Sequence, residues 1–156
     1  MTDEASEDIT QAPAIRAGTD AKEIVRRFLI ALEADDIDTV ESLAAPELVW
    51  QNVGLPSIRG RSRIVRLLRR AQGKYGFAVK FHRIAAEGGT VLTERTDAIV
   101  IGPLRLQFWV CGAFEVNDAG QITLWRDYFD MLDFLLKAPL RAVVGVAVPS
   151  LRPKFG

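Results

Sequence analysis

Hydrophobic positions along this chain recur first with the period of a helix and then with the period of a strand. After Asp20, the run AKEIVRRFLIALEA puts Ile24, Phe28, Leu29 and Leu32 on one face, with Asp20 as the expected N-cap and Glu23 in the capping-box position. Asp35 or Asp36 can cap a second, shorter helix through Val40 and Leu43, which Pro46 ends. ELVWQN reads as a short strand with Leu48, Trp50 and Asn52 on one face and Val49 and Gln51 on the other. GLPSIRG reads as a loop, and GRSRIVRLLRRAQG as a third helix whose buried stripe is Ile64, Leu67, Leu68 and Ala71. Beyond Gly73 the period becomes two. FAVKFHRIA, TVLTERTDAIVI, LRLQFWVCGAFEV and QITLWRDYFD predict four strands, and the turn residues Glu87-Gly88-Gly89, Gly102-Pro103 and Asn117-Asp118-Ala119-Gly120 between them predict antiparallel hairpins.

Helices followed by long hairpin strands define an α+β fold, with the helices packed on one face of a strongly curved, mostly antiparallel sheet. A sheet bent into a cone would enclose an internal pocket. The segment from Met131 is apolar, is broken by Pro139 and Pro149, and reads as a short helix plus a second apolar piece that must cover the pocket mouth or a partner subunit. Residues 1–18 are polar and acidic and read as a flexible tail, which leaves 19–156 as one domain. No internal repeat is present.

Composition narrows the class. At 156 residues, 49% hydrophobic and 26% charged, the chain is of ordinary globular type, large enough for one core. Lys and Arg together equal Asp and Glu at twenty each, so no global field steers it to nucleic acid or an anionic membrane. Charge is unequal locally: twelve acids and four bases precede Leu48, whereas 48–86 holds nine bases and no acid. Most of these bases fall on the wet face of the third helix without interleaved aromatics, which argues against a nucleic-acid surface. One cysteine, Cys111, and one histidine, His82, leave no zinc-ligand spacing and no intramolecular disulfide. The acidic N-terminal residues are unlike a signal peptide and no apolar run reaches the roughly 18 residues of a membrane span, so the cytoplasm is the expected location.

Candidate chemistry lies in the strands. Alternation puts Val91, Thr93, Arg95, Asp97, Ile99 and Ile101 on one face, and Trp125, Asp127 and Phe129 on one face of the last strand. Charges among such neighbours cost several kcal/mol each unless paired. A guanidinium fork can bond two carboxylates at once, so an Asp–Arg–Asp cluster satisfies that requirement. Spacing alone leaves open whether the cluster is an ion-pair network of the core or a reacting centre.

WQN at 50–52, TERTD at 93–97 and GQITLWRDYFD at 120–130 resemble the limonene-1,2-epoxide hydrolase family, in spacing and in the intervening helix–strand order, from about Ala21 to Phe134. The resemblance implies the cone-shaped fold named after nuclear transport factor 2, and one-step hydrolysis of an epoxide to a vicinal diol without a covalent intermediate, metal or organic cofactor. It implies Asp97 as the general acid on the epoxide oxygen, Asp127 as the general base on the attacking water, Arg95 as the cation between them, and Asn52 as the amide that orients the water. One carboxyl must be neutral and the other ionised in the same pocket, a mixed state that belongs to the pair. Trp50 stands where the family usually has Tyr; an indole N–H only donates, so a less firmly held water is expected. Trp125, Phe129 and Ile99, with Trp50 and either Leu135 or Leu136, are the expected pocket walls. Family members tend to be homodimers, and an outward-facing Trp109 fits that expectation.

Other residues read more plainly: His82 as a strand residue rather than the base, Cys111 as a filler, and Asp133 as a solvated helix start. The expected substrate is an apolar epoxide, terpenoid, fatty-acyl or sterol-like. Two rival readings remain: an isomerase of ketosteroid-isomerase or polyketide-cyclase type, which needs an oxyanion donor beside its base, and a non-catalytic cone that binds apolar ligands.

Overall fold

The computed structural model of the chain describes residues 11–155. Helix α1 (Gln11–Glu33) packs its apolar face, Val25, Phe28, Leu29 and Leu32, into the core. It begins well before the expected cap, so Asp20 lies within the helix; residues 1–10 of the expected tail lie outside the described residues. Asp35 takes a left-handed conformation (φ 57°) that ends the first helical segment, and Asp36 then caps α2 (Ile37–Leu43) by accepting from Thr39 N at 3.1 Å.

Strand β1 (Ala44–Asn52) starts earlier than expected and holds Pro46 in its irregular first half, where the register shifts. The expected loop after it contains a two-residue strand, β2 (Ile58–Arg59). Helix α3 (Arg61–Ala71) buries Ile64 and Val65; Leu67, expected in the stripe, is exposed. Val65 takes its place, and Leu68 packs against the core as expected, since α3 meets β1, β2 and α2. The basic face of α3 answers the acidic α2, with Arg69 bonded to Asp38 at 2.7 Å and Glu41 at 3.0 Å.

Four strands follow as the alternation predicts: β3 (Gly76–Glu87), β4 (Thr90–Ile101), β5 (Leu104–Val116) and β6 (Ile122–Tyr128). The sheet order is β2-β1-β6-β5-β4-β3, antiparallel throughout except for the parallel pair β1–β6. Register shifts in β3 between Phe81 and Arg83 and in β5 at Glu115/Val116 are the bulges that help a sheet to curve. Helices α1, α2 and α3 pack on one face of this curved, open sheet, as expected. The tail forms a π-helical turn (Asp133–Lys137) running into α4 (Ala138–Ala147), then a 3₁₀ turn (Pro149–Leu151). Pro139 stands where the π-helical turn passes into α4 and does not break the segment. Helix α4 lies along β5 with Ala138 and Ala142 buried, while Gly145 packs against Arg152 and Pro153. Asp133 is not simply solvated: Arg141 grips it at 2.8 Å.

Candidate active site

Period-two alternation turns every second residue of β4 and β6 toward the helices, and that face carries the charged cluster. Arg95 is fully buried, and Asp97 and Asp127 are nearly so. The Arg95 Nε donates to both oxygens of Asp97 (2.9 and 3.0 Å), its Nη2 donates to Asp127 Oδ1 (2.5 Å), and its Nη1 donates to Thr93 Oγ1 (2.8 Å). Asp127 Oδ2 accepts from the Trp125 indole Nε1 at 2.7 Å. The guanidinium therefore spans two carboxylates that stand on strands separated by β5.

The two acids are held unequally. Each oxygen of Asp127 has its own donor, whereas the Asp97 oxygens share one N–H. Burial pushes the Asp97 carboxyl up to about 7; Arg95 opposes the rise and the charge of Asp127 adds to it. Burial also raises Asp127, against the pull of Arg95 and the hydrogen bond from Trp125. Burial works against the charge of Arg95, but the two carboxylates outweigh it and hold the guanidinium above its ordinary value.

The two carboxylates of the cluster line a cavity of about 790 Å³. Ile99, Trp50, Trp125 and Phe129 line it, with Asn52, Asp97 and Asp127 beside them and Glu33, Asp35 and Lys74 elsewhere on its wall. Asn52 is the register partner of Asp127 across the parallel β1–β6 pair, and Trp50 is that of Trp125. That pairing stacks the two indoles at 4.7 Å and 13°, while Phe28 from α1 meets Trp125 edge-on at 5.3 Å. Trp50 does not present its N–H to the cavity: Nε1 is buried and finds no hydrogen-bond partner among the described residues. Its ring borders the cavity beside Trp125, on which it stacks. Leu135 and Leu136 are not cavity walls; they are 58% and 62% exposed, and Phe134, packed on Phe108 and Phe129, takes that place. The π-helical turn carries the one ring inward and both leucines outward. His82 lies away from the cluster, stacked on the exposed Trp109 at 4.4 Å and bonded to Thr96 Oγ1.

Sequence reasoning missed Thr93 and the hydrogen bond from Trp125. Both were on the correct face in the alternation pattern, but nothing in spacing tells that a threonine hydroxyl will saturate Nη1 or that an indole will turn its N–H to a neighbour two residues on.

A helix-covered curved sheet of this topology is shared with a crystal structure from Kribbella flavida DSM 17836 described as a candidate ketosteroid isomerase (TM-score 0.62, 16% identity, covering 76% of this chain and 82% of that one), a likeness of fold alone. The family model for the limonene-1,2-epoxide hydrolase catalytic domain matches residues 19–141. Epoxide hydrolase EphG of Mycobacterium tuberculosis (strain ATCC 25618 / H37Rv) is 59% identical over 128 residues, 82% of this chain and 85% of that protein. The solved structure of an M. tuberculosis LEH-like epoxide hydrolase superposes with a TM-score of 0.83 at 56% identity, over 88% of this chain and 96% of that one. The chain belongs to the limonene-1,2-epoxide hydrolase family and is an epoxide hydrolase, with an epoxide and water as its substrates. The isomerase and binder readings fall to these matches. Among the described residues no helix is long and apolar enough to cross a membrane.

Proposed function

We propose that the enzyme adds water to an apolar epoxide in one step, with Asp97 as general acid, Asp127 as general base, Arg95 as the cation that holds both, and Asn52 as the amide that orients the water. The observation that carries this reading is the unequal hydrogen bonding of the two carboxyls on one guanidinium. Two donors on separate oxygens favour the ionised form of Asp127, and a carboxyl that titrates near 7 keeps a proton to give. Water forms its bond to an epoxide carbon as the carbon–oxygen bond opposite breaks. The Asp97 proton passes to the leaving oxygen, and a water proton passes to Asp127. The diol departs, leaving Asp97 ionised and Asp127 protonated, and proton exchange with solvent restores the pair. Both proton transfers fall to the carboxyl pair, so the scheme requires neither metal nor organic cofactor.

The cavity favours an apolar substrate of terpenoid, fatty-acyl or sterol-like type, since Phe77, Ile99, Phe108, Val110, Phe129 and Phe134 line it and Asp97 and Asp127 share the Arg95 cation. A homodimer is part of the same reading. Leu132, Leu136, Leu140 and Val143 of the tail are exposed, as are Trp109 and Tyr128 on the sheet, and so much open apolar surface suits a subunit contact. The free Cys111 suits a reducing compartment, in keeping with a cytoplasmic location.

A single turnover in ¹⁸O-labelled water, run on a panel from styrene oxide and limonene oxide to sterol epoxides, tests the scheme. One-step addition puts the label into the first diol formed. Unlabelled first-turnover diol would mean that a protein carboxylate supplies the oxygen through an ester, and the one-step reading would fail.

A further inference from the structure

We propose that Gly112 is a positioning residue for the hydrolysis: its missing side chain is the opening through which Arg95 of β4 crosses β5 to hold Asp127 of β6. The proposal rests on the acid–base reading above. Arg95 and Asp127 stand on strands that do not touch, with β5 between them. The residue of β5 level with Asp127 is Gly112, and the same glycine is the register partner of Thr93 on its other side. Arg95 bonds both of those neighbours, through Nη2 and Nη1, so its guanidinium lies across the glycine. A Cβ added at Gly112 would overlap Arg95 Nη1 outright, and would stand 2.6 Å from Thr93 Oγ1 and 2.8 Å from Phe114 Cε2.

Backbone geometry does not ask for glycine here. Gly112 lies inside a regular strand and is not among the residues with positive φ, unlike the turn glycines Gly102 and Gly120. Glycine in a strand interior weakens the strand, and one common reason for it is close approach by another group. Here that group is the guanidinium. Val110 and Phe114, two residues to either side, carry full side chains and are buried, and Phe114 lies under Arg95 with its ring centre 5.8 Å from the guanidinium carbon. The gap therefore has the width of one residue.

If a side chain closed it, Arg95 would keep its place on β4 beside Asp97 but lose Asp127. A buried carboxylate without its cation holds its proton more tightly. Asp97 on the same strand as Arg95, Glu33 and Asp35 at the end of α1, and Lys74 after α3 are the other charged groups on the cavity wall; β1, β5 and β6 bring the neutral Asn52, Gly112 and Trp125 to Asp127.

The test is Gly112→Ala made in the wild type and in an Arg95→Lys background, where the guanidinium and with it Nη1 is gone, with Asp127→Asn measured alongside. In the wild type, alanine should cut kcat by at least about a hundredfold and move the acidic limb of the kcat/KM profile up by about one pH unit or more. A purely structural role would lower the active fraction and leave that limb in place. Thermal unfolding gives the second readout: alanine should lower the Tm more in the wild type than in the Arg95→Lys background, because the tightest of the three overlaps is with Nη1. Folding of Gly112→Ala only in the Arg95→Lys background would support the proposal as well. Equal Tm losses in both backgrounds, failure to fold in both, or an unmoved acidic limb would overturn it. If Asp127→Asn turns over like the wild type, the acid–base reading fails and this inference with it. If Asp127→Asn is inert while Gly112→Ala keeps wild-type kcat and pH profile, this inference alone fails.

Discussion

Asp97 and Asp127 carry the same functional group toward the same cavity, and the difference between them comes from their donors. Arg95 divides its nitrogens between them, and Trp125 adds a second donor to Asp127 only. That hydrogen bond lowers the Asp127 carboxyl against the upward push of burial. Trp125→Phe keeps an aromatic ring between Phe28 and Trp50 but removes the donor. A hydrogen bond to a charged group is worth about 1.5–3 kcal/mol, so the acidic limb of kcat/KM should rise by roughly one to two pH units. An unchanged limb in a folded variant would remove Trp125 from the account. Arg95, Asp97 and Asp127 were legible in the sequence because alternation set charges among apolar neighbours, where each needs a partner. The direction of the Trp125 indole was not legible, since Phe28 of α1 and Trp50 of β1 fix it from elements far away in the chain. The same holds for Trp50, whose indole is held in a stack on Trp125.

Strands were easier to read than helices, for a physical reason. A strand bounded by turn residues has both ends marked, and the observed limits of β4 and β5 coincide with the alternating runs. Helix α1 passes through Asp20 because a cap residue can equally well sit in a helix when the chain before it continues the turn. The stripe of α3 shifted because the neighbours of a helix decide which residues it buries: Val65 meets the core and Leu67 does not. The tail is the element with the most left over. Its π-helical turn and α4 spend small residues on the contact with β5 and leave Leu132, Leu136, Leu140 and Val143 outside. If that face joins two subunits, wild type should run as a dimer in light scattering, and Leu140→Glu should shift it toward monomer. A wild-type monomer, or a Leu140→Glu variant that dimerises as tightly as wild type, would exclude this face as the contact.

At the scale of the molecule, a neutral chain conceals a division of charge that folding brings together on the surface, where Arg69 meets Asp38 and Glu41, and in the interior, where Arg95 meets two acids. Exposed pairs of the first kind contribute little. The interior cluster couples stability to pH. The folded Asp97 titrates near 7, above its ordinary value of 3.8, so the folded state binds the extra proton between these values. Its contribution is fully present below about pH 4 and is lost as the pH rises to about 7. Asp127, also raised, acts with the same sign. The Tm should fall over that interval in wild type and fall less steeply in Asp97→Asn; a Tm that climbs from pH 4 to 7 in wild type, with no smaller slope in the variant, would contradict the assignment. The fold that creates this coupling was visible in the period change at Gly73, whereas the crossing of β5 by one arginine needed the assembled sheet. The central claim is that the two aspartates act as acid and base on one epoxide, and diol formation by wild type, Asp97→Asn and Asp127→Asn tests it most directly. With all three proteins folded, wild type should make diol and each variant should lose at least about a hundredfold in kcat. Wild-type turnover retained by either variant would contradict the claim.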